Sequence, residues 1–435
     1  MTIDLDKYKN HIRELKPVSC LGKISQIVGL TIESVGPQVC MGEICKIKSN
    51  DGQEINAEVV GFKNSKVLLM PLGDMNGIGL GQEILATGET LTVNVGMALK
   101  GRTLNGLGEP IDGKGPLMSE MKYPIQREAP DPLKRNVIKS PLKLGVRTID
   151  GLLTIGKGQR VGIFAGSGVG KSTLMGMIAR NTSAEVNVIA LIGERGREVR
   201  EFIEKDLGEE GLKHSVVVVA TSDQPALVRI KAAYLATSIA EYFRDQGNDV
   251  MLMMDSLTRF SMAQREVGLA TGEPPVSRGY TPSVFAQLPK LLERAGNSDK
   301  GSITGLYTVL VDGDDLTEPI TDAARGILDG HIVLSRKIAN KNHYPAIDVL
   351  ASISRVMSAV TSKEHREYAG KIKQLMAVYK ESEDLINIGA YVKGSNEDID
   401  LAIEKNKEIN NFLRQSVDED ISPEETFETM KAIVG

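Results

Sequence analysis

Residues 165–173 read Ala-Gly-Ser-Gly-Val-Gly-Lys-Ser-Thr and directly follow Arg160-Val-Gly-Ile-Phe164, an apolar run with the length and composition of a buried parallel strand. Gly166, Gly168 and Gly170 let successive backbone N–H groups turn inward around an anion. Lys171 supplies a point charge for β- and γ-phosphates and Ser172 a hydroxyl for Mg2+, while Ser167, Val169 and Thr173 complete the cradle. This is the chemistry of a nucleoside triphosphate site. The strict pattern G-x-x-x-x-G-K-[ST] has glycine where this chain has Ala165. That position lies at the strand end, ahead of the glycines that form the cradle, and a small residue fits there.

A phosphate loop alone serves kinases, GTPases, switches and motors, so other parts decide the reaction. Val250-Met-Leu-Met-Met-Asp255 is an apolar strand delivering an aspartate at its C-terminal edge, where ligands bind in open α/β sheets. Asp255 reads as the acid that orients Mg2+ and its water shell, with helix N-cap as the competing role. Glu194 follows the strand Val188-Ile-Ala-Leu-Ile192 and opens Gly193-Glu-Arg-Gly-Arg-Glu-Val-Arg200. A carboxylate there can position and polarise an attacking water, whereas Arg197 to Glu201 reads as a solvated charge run with internal salt bridges. Arg355, in Ala351-Ser-Ile-Ser-Arg-Val-Met357, is either an arginine finger for a neighbouring subunit's γ-phosphate or a surface arginine. Tyr344, in Asn342-His343-Tyr344-Pro345, either stacks on a purine or packs into the core.

The hydrophobic pattern describes the scaffold such side chains need. Apolar runs at 160–165, 186–192, 216–220, 250–254, 303–311 and 331–334 alternate with helical stretches, which predicts a mainly parallel sheet flanked by helices. Between Gly22 and Val95, short β-branched runs are broken by Gly36-Pro37, Asn50-Asp51-Gly52, Lys63-Asn64-Ser65, Gly73-Asp74 and Gly77-Ile78-Gly79, the texture of a small antiparallel barrel. Residues 101–112 read as loop, and Pro124, Pro130, Pro132 and Pro141 as an irregular connector. After about residue 360 the strands stop. Ser395-Asn-Glu-Asp398 resembles a capping box, and Ser422-Pro423 a cap with proline at the first helical position. In residues 4–16, Leu5, Tyr8, Ile12 and Leu15 recur every three or four positions until Pro17, predicting a short amphipathic helix that packs on the body or on a partner. The expected organisation is a helix at 1–18, a β-barrel at 19–95, an α/β core at 96–360 and a helical domain at 361–435.

Composition narrows the function further. The 435 residues are 41% hydrophobic and 25% charged, a balance that supplies large cores. Apolar runs stay well below the ~18 residues of a membrane span, and the N-terminus lacks the basic-then-apolar order of a signal peptide, so a cytoplasmic protein is expected. Cys20, Cys40 and Cys45 have neither disulfide parity nor metal-ligand spacing and are expected to be reduced, partly buried thiols. A formal charge of −5, no tryptophan, and Phe62 as the one aromatic between 22 and 95 argue against a nucleic-acid translocase, and no nucleic-acid partner is expected. A nucleotide-bound docking platform without turnover is the third reading, and the presence of Glu194 opposes it.

Together these residues resemble the catalytic subunits of the rotary ATPase superfamily, and most closely its flagellar protein-export ATPases. The resemblance covers nearly the whole chain. It rests on Gly162-Ile-Phe-Ala-Gly-Ser-Gly-Val-Gly-Lys-Ser172, Gly193-Glu-Arg-Gly-Arg-Glu-Val-Arg-Glu-Phe202, Tyr280-Thr-Pro-Ser-Val-Phe285, Asp312-Gly-Asp-Asp-Leu-Thr-Glu-Pro319 and Ile327-Leu-Asp-Gly-His-Ile-Val-Leu-Ser-Arg336. Ala165 is itself typical of that branch. The resemblance implies a RecA-like P-loop core and hydrolysis of ATP with Mg2+ held at Ser172 and Asp255. It makes Lys171 the phosphate lysine, Glu194 the catalytic carboxylate, Arg259 a phosphate-sensing arginine, Arg355 the finger acting in trans and Tyr344 the adenine-stacking ring. Arg195 and Arg197 lie in a matching segment without separate roles. The resemblance also implies a homohexamer whose N-terminal helix binds a peripheral stalk protein and whose pore receives a small coiled-coil protein. Its further partners would be export-gate membrane proteins and chaperone–substrate complexes, with a virulence injectisome as the alternative setting.

Overall fold

The computed structural model describes residues 20–49, 52–119, 121–311, 315 and 317–435. The helix expected at 4–16 lies outside them. The chain divides into two compact units: one runs to Leu91 and adds Pro225–Val228 and Glu266–Pro274, and the other comprises Thr92–Gln224, Arg229–Arg265 and Pro275–Gly435.

The first unit holds the expected barrel. Strands β1 (Leu21–Val28), β2 (Thr31–Val35), β3 (Glu43–Lys48), β4 (Glu54–Lys63), β5 (Lys66–Pro71) and β6 (Glu83–Thr90) close in the order β1-β2-β5-β4-β3-β6. Closure leaves no free edge. Ile24, Ile32, Cys45, Ile47, Ala57, Val59, Val67, Leu69 and Ile84 fill the interior. The three thiols are free; Cys20 and Cys40 are exposed, and burial pushes the Cys45 thiol up to about 12.

In the second unit, β7 (Thr92–Val95) pairs with β9 (Met121–Pro124) as a small ribbon, and β8 (Arg102–Asn105) begins a nine-stranded sheet. Its further strands are β10 (Arg160–Ala165), β11 (Val186–Ile192), β12 (Ser215–Ala220), β13 (Asp249–Asp255), β14 (Gly296–Asn297), β15 (Ser302–Leu310), β16 (Gly330–Leu334) and β17 (Ile353–Ser354). The order is β17-β16-β10-β15-β13-β11-β12-β8, with β14 paired to β15. From β16 to β8 all pairings on this path are parallel. All seven residues of β11 and all six of β12 are buried, as strands covered on both faces require. The six apolar runs read from the sequence became strands within a residue of each expected end. Residues 101–112 are loop only in part: Arg102–Asn105 forms β8 along β12, held where Arg102 grips Asp112 through Nε at 2.7 Å and Nη2 at 3.0 Å, while 106–112 remain turn and loop. A four-residue strand flanked by glycines has too little periodicity to show in the sequence.

Beyond Val360 come the helices Lys363–Asn387, Glu397–Leu413 and Pro423–Val434. Ser422 caps the last by accepting from Glu425 N–H, with Pro423 in the first turn. The middle helix is capped one residue later than expected. Asn396 Oδ1 accepts from Asp398 and Ile399 N–H, while the Ser395 hydroxyl is spent on Val392 O. Phe412, Leu413, Met430 and Ile433 pack with Ile149, Leu152 and Leu174 in one continuous core.

Candidate active site

Strand order explains how distant segments meet. β10 ends in the phosphate loop, β15 lies beside it, β13 follows and ends in Asp255, and β11 lies beyond and runs into Glu194. The strands are parallel, so all of these ends reach the same sheet edge. Register keeps them level: Ala165 pairs with Leu310, and Asp255 with Leu191.

The loop itself turns on left-handed glycines. Gly170 has φ 88° and caps the helix Lys171–Asn181, so its N-terminal N–H groups and positive dipole end face the loop. Val169 turns its side chain into the core (1% exposed), leaving its backbone to the loop. A cleft of about 440 Å3 is lined by residues 165–168 and 170–173, with Glu194, Arg195, Glu198, Arg259, Leu310 and Val311 around it.

Lys171 Nζ lies 2.5 Å from Asp255 Oδ1 and 3.6 Å from Glu194 Oε1. Burial pulls this ammonium down, but Asp255 and Glu194 outweigh it and hold Lys171 above the usual lysine range. Asp255 Oδ1 also accepts from Thr308 Oγ1 at 2.7 Å. Burial and the Asp255 charge push the Glu194 carboxyl up to about 7, Lys171 opposes them, and a hydrogen bond with Glu198 raises it further. Glu198 is held below its usual range mainly by that same hydrogen bond. A carboxyl near neutrality is matched to taking up or sharing a water proton.

Arg259 Nε is buried with no hydrogen-bond partner among the described residues, so the cleft carries a dry guanidinium donor suited to an anion. The oxygen donors suit Mg2+. The Ser172 hydroxyl stands at the cleft and Asp255 behind it, and no group of three acidic, His or Cys side chains among the described residues would hold an ion unaided. Mg2+ is characteristically bound by one or two side chains plus substrate phosphates, and the residues present fit that pattern.

A second recess, about 380 Å3, adjoins the loop and is lined by Gly168, Gly170, Thr173, Leu174, Met177, Tyr344, Pro345, Gln415 and Val417. Tyr344 is 42% exposed, and its ring lies against Gly170, where a Cβ would stand 3.4 Å from two ring carbons. Of the two roles open to Tyr344, an exposed ring beside the phosphate loop favours base stacking over core packing.

Arg355 is not brought to this cleft. It follows β17, whose Ser354 pairs with Gly330 at the start of β16, so it stands at the foot of the sheet. The phosphate loop leaves the head of β10, about 17 Å away at ~3.3 Å per residue. The expected charge run is solvated: Arg197–Glu201 and Arg200–Glu204 are exposed pairs at 3.1 and 2.8 Å. Arg195, whose side chain is 76% exposed, lines the cleft mouth.

Sequence reading missed Thr308, Glu198, Gln415 and Val417. Thr308 lies within an apolar strand and is picked out only by its register beside Asp255. Gln415 accepts from Arg147 N–H across 268 residues and donates to Gly145 O, which leaves no local signal.

Family models match three stretches of the chain: the ATP synthase alpha/beta family beta-barrel domain at 24–88, its nucleotide-binding domain at 145–354, and the T3SS EscN ATPase C-terminal domain at 361–432. The chain is 58% identical over 418 residues to the flagellum-specific ATP synthase of Bacillus subtilis, covering 95% of each protein. It is 54% identical to the type 3 secretion system ATPase of Xanthomonas euvesicatoria, covering 95% of this chain and 93% of that one. The assembled ATPase EscN of the enteropathogenic E. coli type III secretion system superposes with a TM-score of 0.91 at 50% identity, covering 95% of this chain and all of that one. EscN has also been solved in complex with its central stalk EscO, with a TM-score of 0.89 at 49% identity and the same coverage.

Proposed function

The chain belongs to the ATP synthase alpha/beta family, in its branch of flagellum-specific ATP synthases and type III secretion ATPases, and on that premise we propose a homohexameric, Mg2+-dependent ATPase of a flagellar protein export apparatus. It is an ATPase with a nucleotide-binding core. The observation that carries the ring is the division of the expected set: Lys171, Glu194 and Asp255 meet at the head of the sheet, while Arg355 stands at its foot, away from its own chain's cleft.

In this reading Gly166–Thr173 cradle the phosphates and Tyr344 stacks on adenine. Lys171 leaves the carboxylates to engage the β- and γ-phosphates. Glu194 accepts a hydrogen bond from the attacking water and holds it in line, and Arg259 contacts the γ-phosphoryl group from the cleft wall. Ser172 and Asp255 would hold Mg2+, which when bound would supply neutralisation of the charge on the phosphates. The neighbour's Arg355 closes the site, a contribution of ~10³–10⁵ in rate.

A central coiled-coil protein fits the pore of such a ring, by analogy with EscN and its stalk EscO. The amphipathic segment expected at 4–16 would bind the peripheral stalk, and the ring would take chaperone–substrate complexes to membrane gate proteins. No helix among the described residues is long and apolar enough to cross a membrane, and we place the protein in the cytoplasm against the export gate. We retain the parts 1–18, 19–95, 96–360 and 361–435 as its working organisation. The C-terminal match also supports an injectisome ATPase as the second reading. Restored motility on expression in a non-motile, export-defective cell selects the flagellar branch; failure there with restored injectisome secretion selects the other.

The ring is tested by mixing two dead chains, Lys171→Ala and Arg355→Ala. Restored ATPase activity is expected, because the first chain donates an intact arginine to the intact site of the second. Co-assembly without activity would refute the trans assignment. Wild-type activity is expected to rise more steeply than first order with protein concentration.

A further inference from the structure

The Arg355 guanidinium is exposed and donates to Arg325 O at 3.3 Å. Its backbone is held quite differently. Gln159, 0% exposed, directly precedes β10. Its Oε1 accepts from Gly156 N–H at 2.9 Å, and its Nε2 donates to Asp329 O at 3.0 Å and to Ser354 Oγ at 3.1 Å. Ser354 Oγ donates onward to Thr154 O at 2.8 Å. The same Asp329 carbonyl accepts from Arg355 N–H at 3.1 Å. The Asp329 carboxylate grips Arg160 through Nε at 3.0 Å, Nη2 at 3.1 Å and the backbone N–H at 3.1 Å. Gly330 lets these segments close: a Cβ there would stand 2.6 Å from Ile353 O and 3.2 Å from Gln159 Nε2.

This clamp is more than the sheet requires. β10 and β16 are already joined by ladder hydrogen bonds and by the Arg160–Asp329 pair. β17 has only two residues, paired as Gly330↔Ser354 and His331↔Ile353, and so short an edge strand does not fix the residue that follows it. Gln159 supplies the missing constraint. A buried amide with both N–H groups and its oxygen satisfied by separate segments holds them to hydrogen-bond tolerance.

We propose that Gln159 is a positioning residue for the arginine finger: through Asp329 and Ser354 it fixes Arg355 to the foot of β10, whose head carries the phosphate loop. The arginine offered to the neighbouring subunit then stands at a height set by the donor's own phosphate-loop strand. This rests on the reading of Arg355 as acting in trans.

The test uses the mixture of full-length Lys171→Ala donor and Arg355→Ala acceptor, with Gln159→Ala placed in one chain at a time. In the donor it is expected to lower the restored kcat ~10²-fold at unchanged KM for ATP, the loss typical of a catalytic group misplaced by ~1 Å. In the acceptor, whose finger is already absent, the loss should stay within about threefold. General damage to the fold would depress both arrangements alike, and that outcome overturns the proposal. Ser354→Ala in the donor removes one hydroxyl and is expected to give a smaller loss in the same arrangement only; it decides the matter if the Gln159 variant does not assemble. Donors carrying either change that restore full activity would overturn the clamp and leave the trans finger standing. An unaltered donor that restores nothing, despite co-assembly, would remove the trans finger and the clamp with it.

Discussion

The phosphate cleft at the head of β10 and the arginine at its foot are built by opposite means. In the cleft the charged side chains hold one another: Lys171 bridges Asp255 and Glu194, and Thr308 fixes Asp255 from the next strand. At the foot the side chain is exposed, with one hydrogen bond to Arg325 O at 3.3 Å, while its backbone is locked by Gln159, Asp329 and Ser354. On the proposed reading, one site is preorganised to receive a ligand and the other to be delivered to one. A group waiting for a partner needs a rigid base and an exposed, weakly held tip, because strong partners within the chain would compete with its target.

The largest expected effect sharpens this contrast. Arg355→Ala should lower kcat by ~10³-fold or more with nucleotide affinity nearly unchanged, measured by steady-state turnover and equilibrium titration of a fluorescent nucleotide. An equal loss of affinity would place Arg355 in its own chain's site and break the comparison. Glu194→Gln should follow, lowering kcat by ~10²–10⁴-fold while leaving nucleotide binding and assembly intact, as seen by titration and light scattering.

Tyr344→Ala should raise KM for ATP about tenfold at constant kcat, since stacking on a base is worth ~1–3 kcal/mol. Tyr344→Phe should be near neutral, and a fall in kcat instead would move Tyr344 from binding into chemistry. The smallest effect concerns pH. Glu194 must be ionised to accept from water, and its folded pKa is raised to about 7, so kcat/KM should rise with pH through an acid limb near 7. Glu198 raises Glu194, so Glu198→Gln should move that limb to lower pH. A limb that stays in place would show that Glu198 does not share the proton.

The cleft was largely legible because its parts are punctuation marks of local structure. An apolar run followed by glycines and Lys-Ser announces a strand turning into a helix N-terminus, and an apolar run ending in Asp255 or followed by Glu194 places a carboxylate at a strand end. Thr308 was hidden because nothing in Ser302–Leu310 distinguishes a threonine facing a neighbour's aspartate from one facing the core. Gln159 was hidden for a related reason. It sits in the turn Gly156-Lys-Gly-Gln159, an ordinary place for a solvated amide, and its burial depends on Asp329 and Ser354 arriving from far along the chain. The one-residue shift of the cap from Ser395 to Asn396 reflects two adjacent residues able to play the same part, decided when Val392 O claimed the serine hydroxyl.

By itself the sequence determined the six main strands of the sheet, the barrel, the C-terminal helices and the chemical identity of the nucleotide cleft, because periodicity, turn residues and strand-end charges act over a few residues. Only the tertiary structure decided that Asp255 and Glu194 share Lys171, that Tyr344 borders the loop, and that Arg355 faces away from its own site. Those outcomes depend on strand order and register, which are set by packing whole sheet faces against helices and so are not encoded in any short segment.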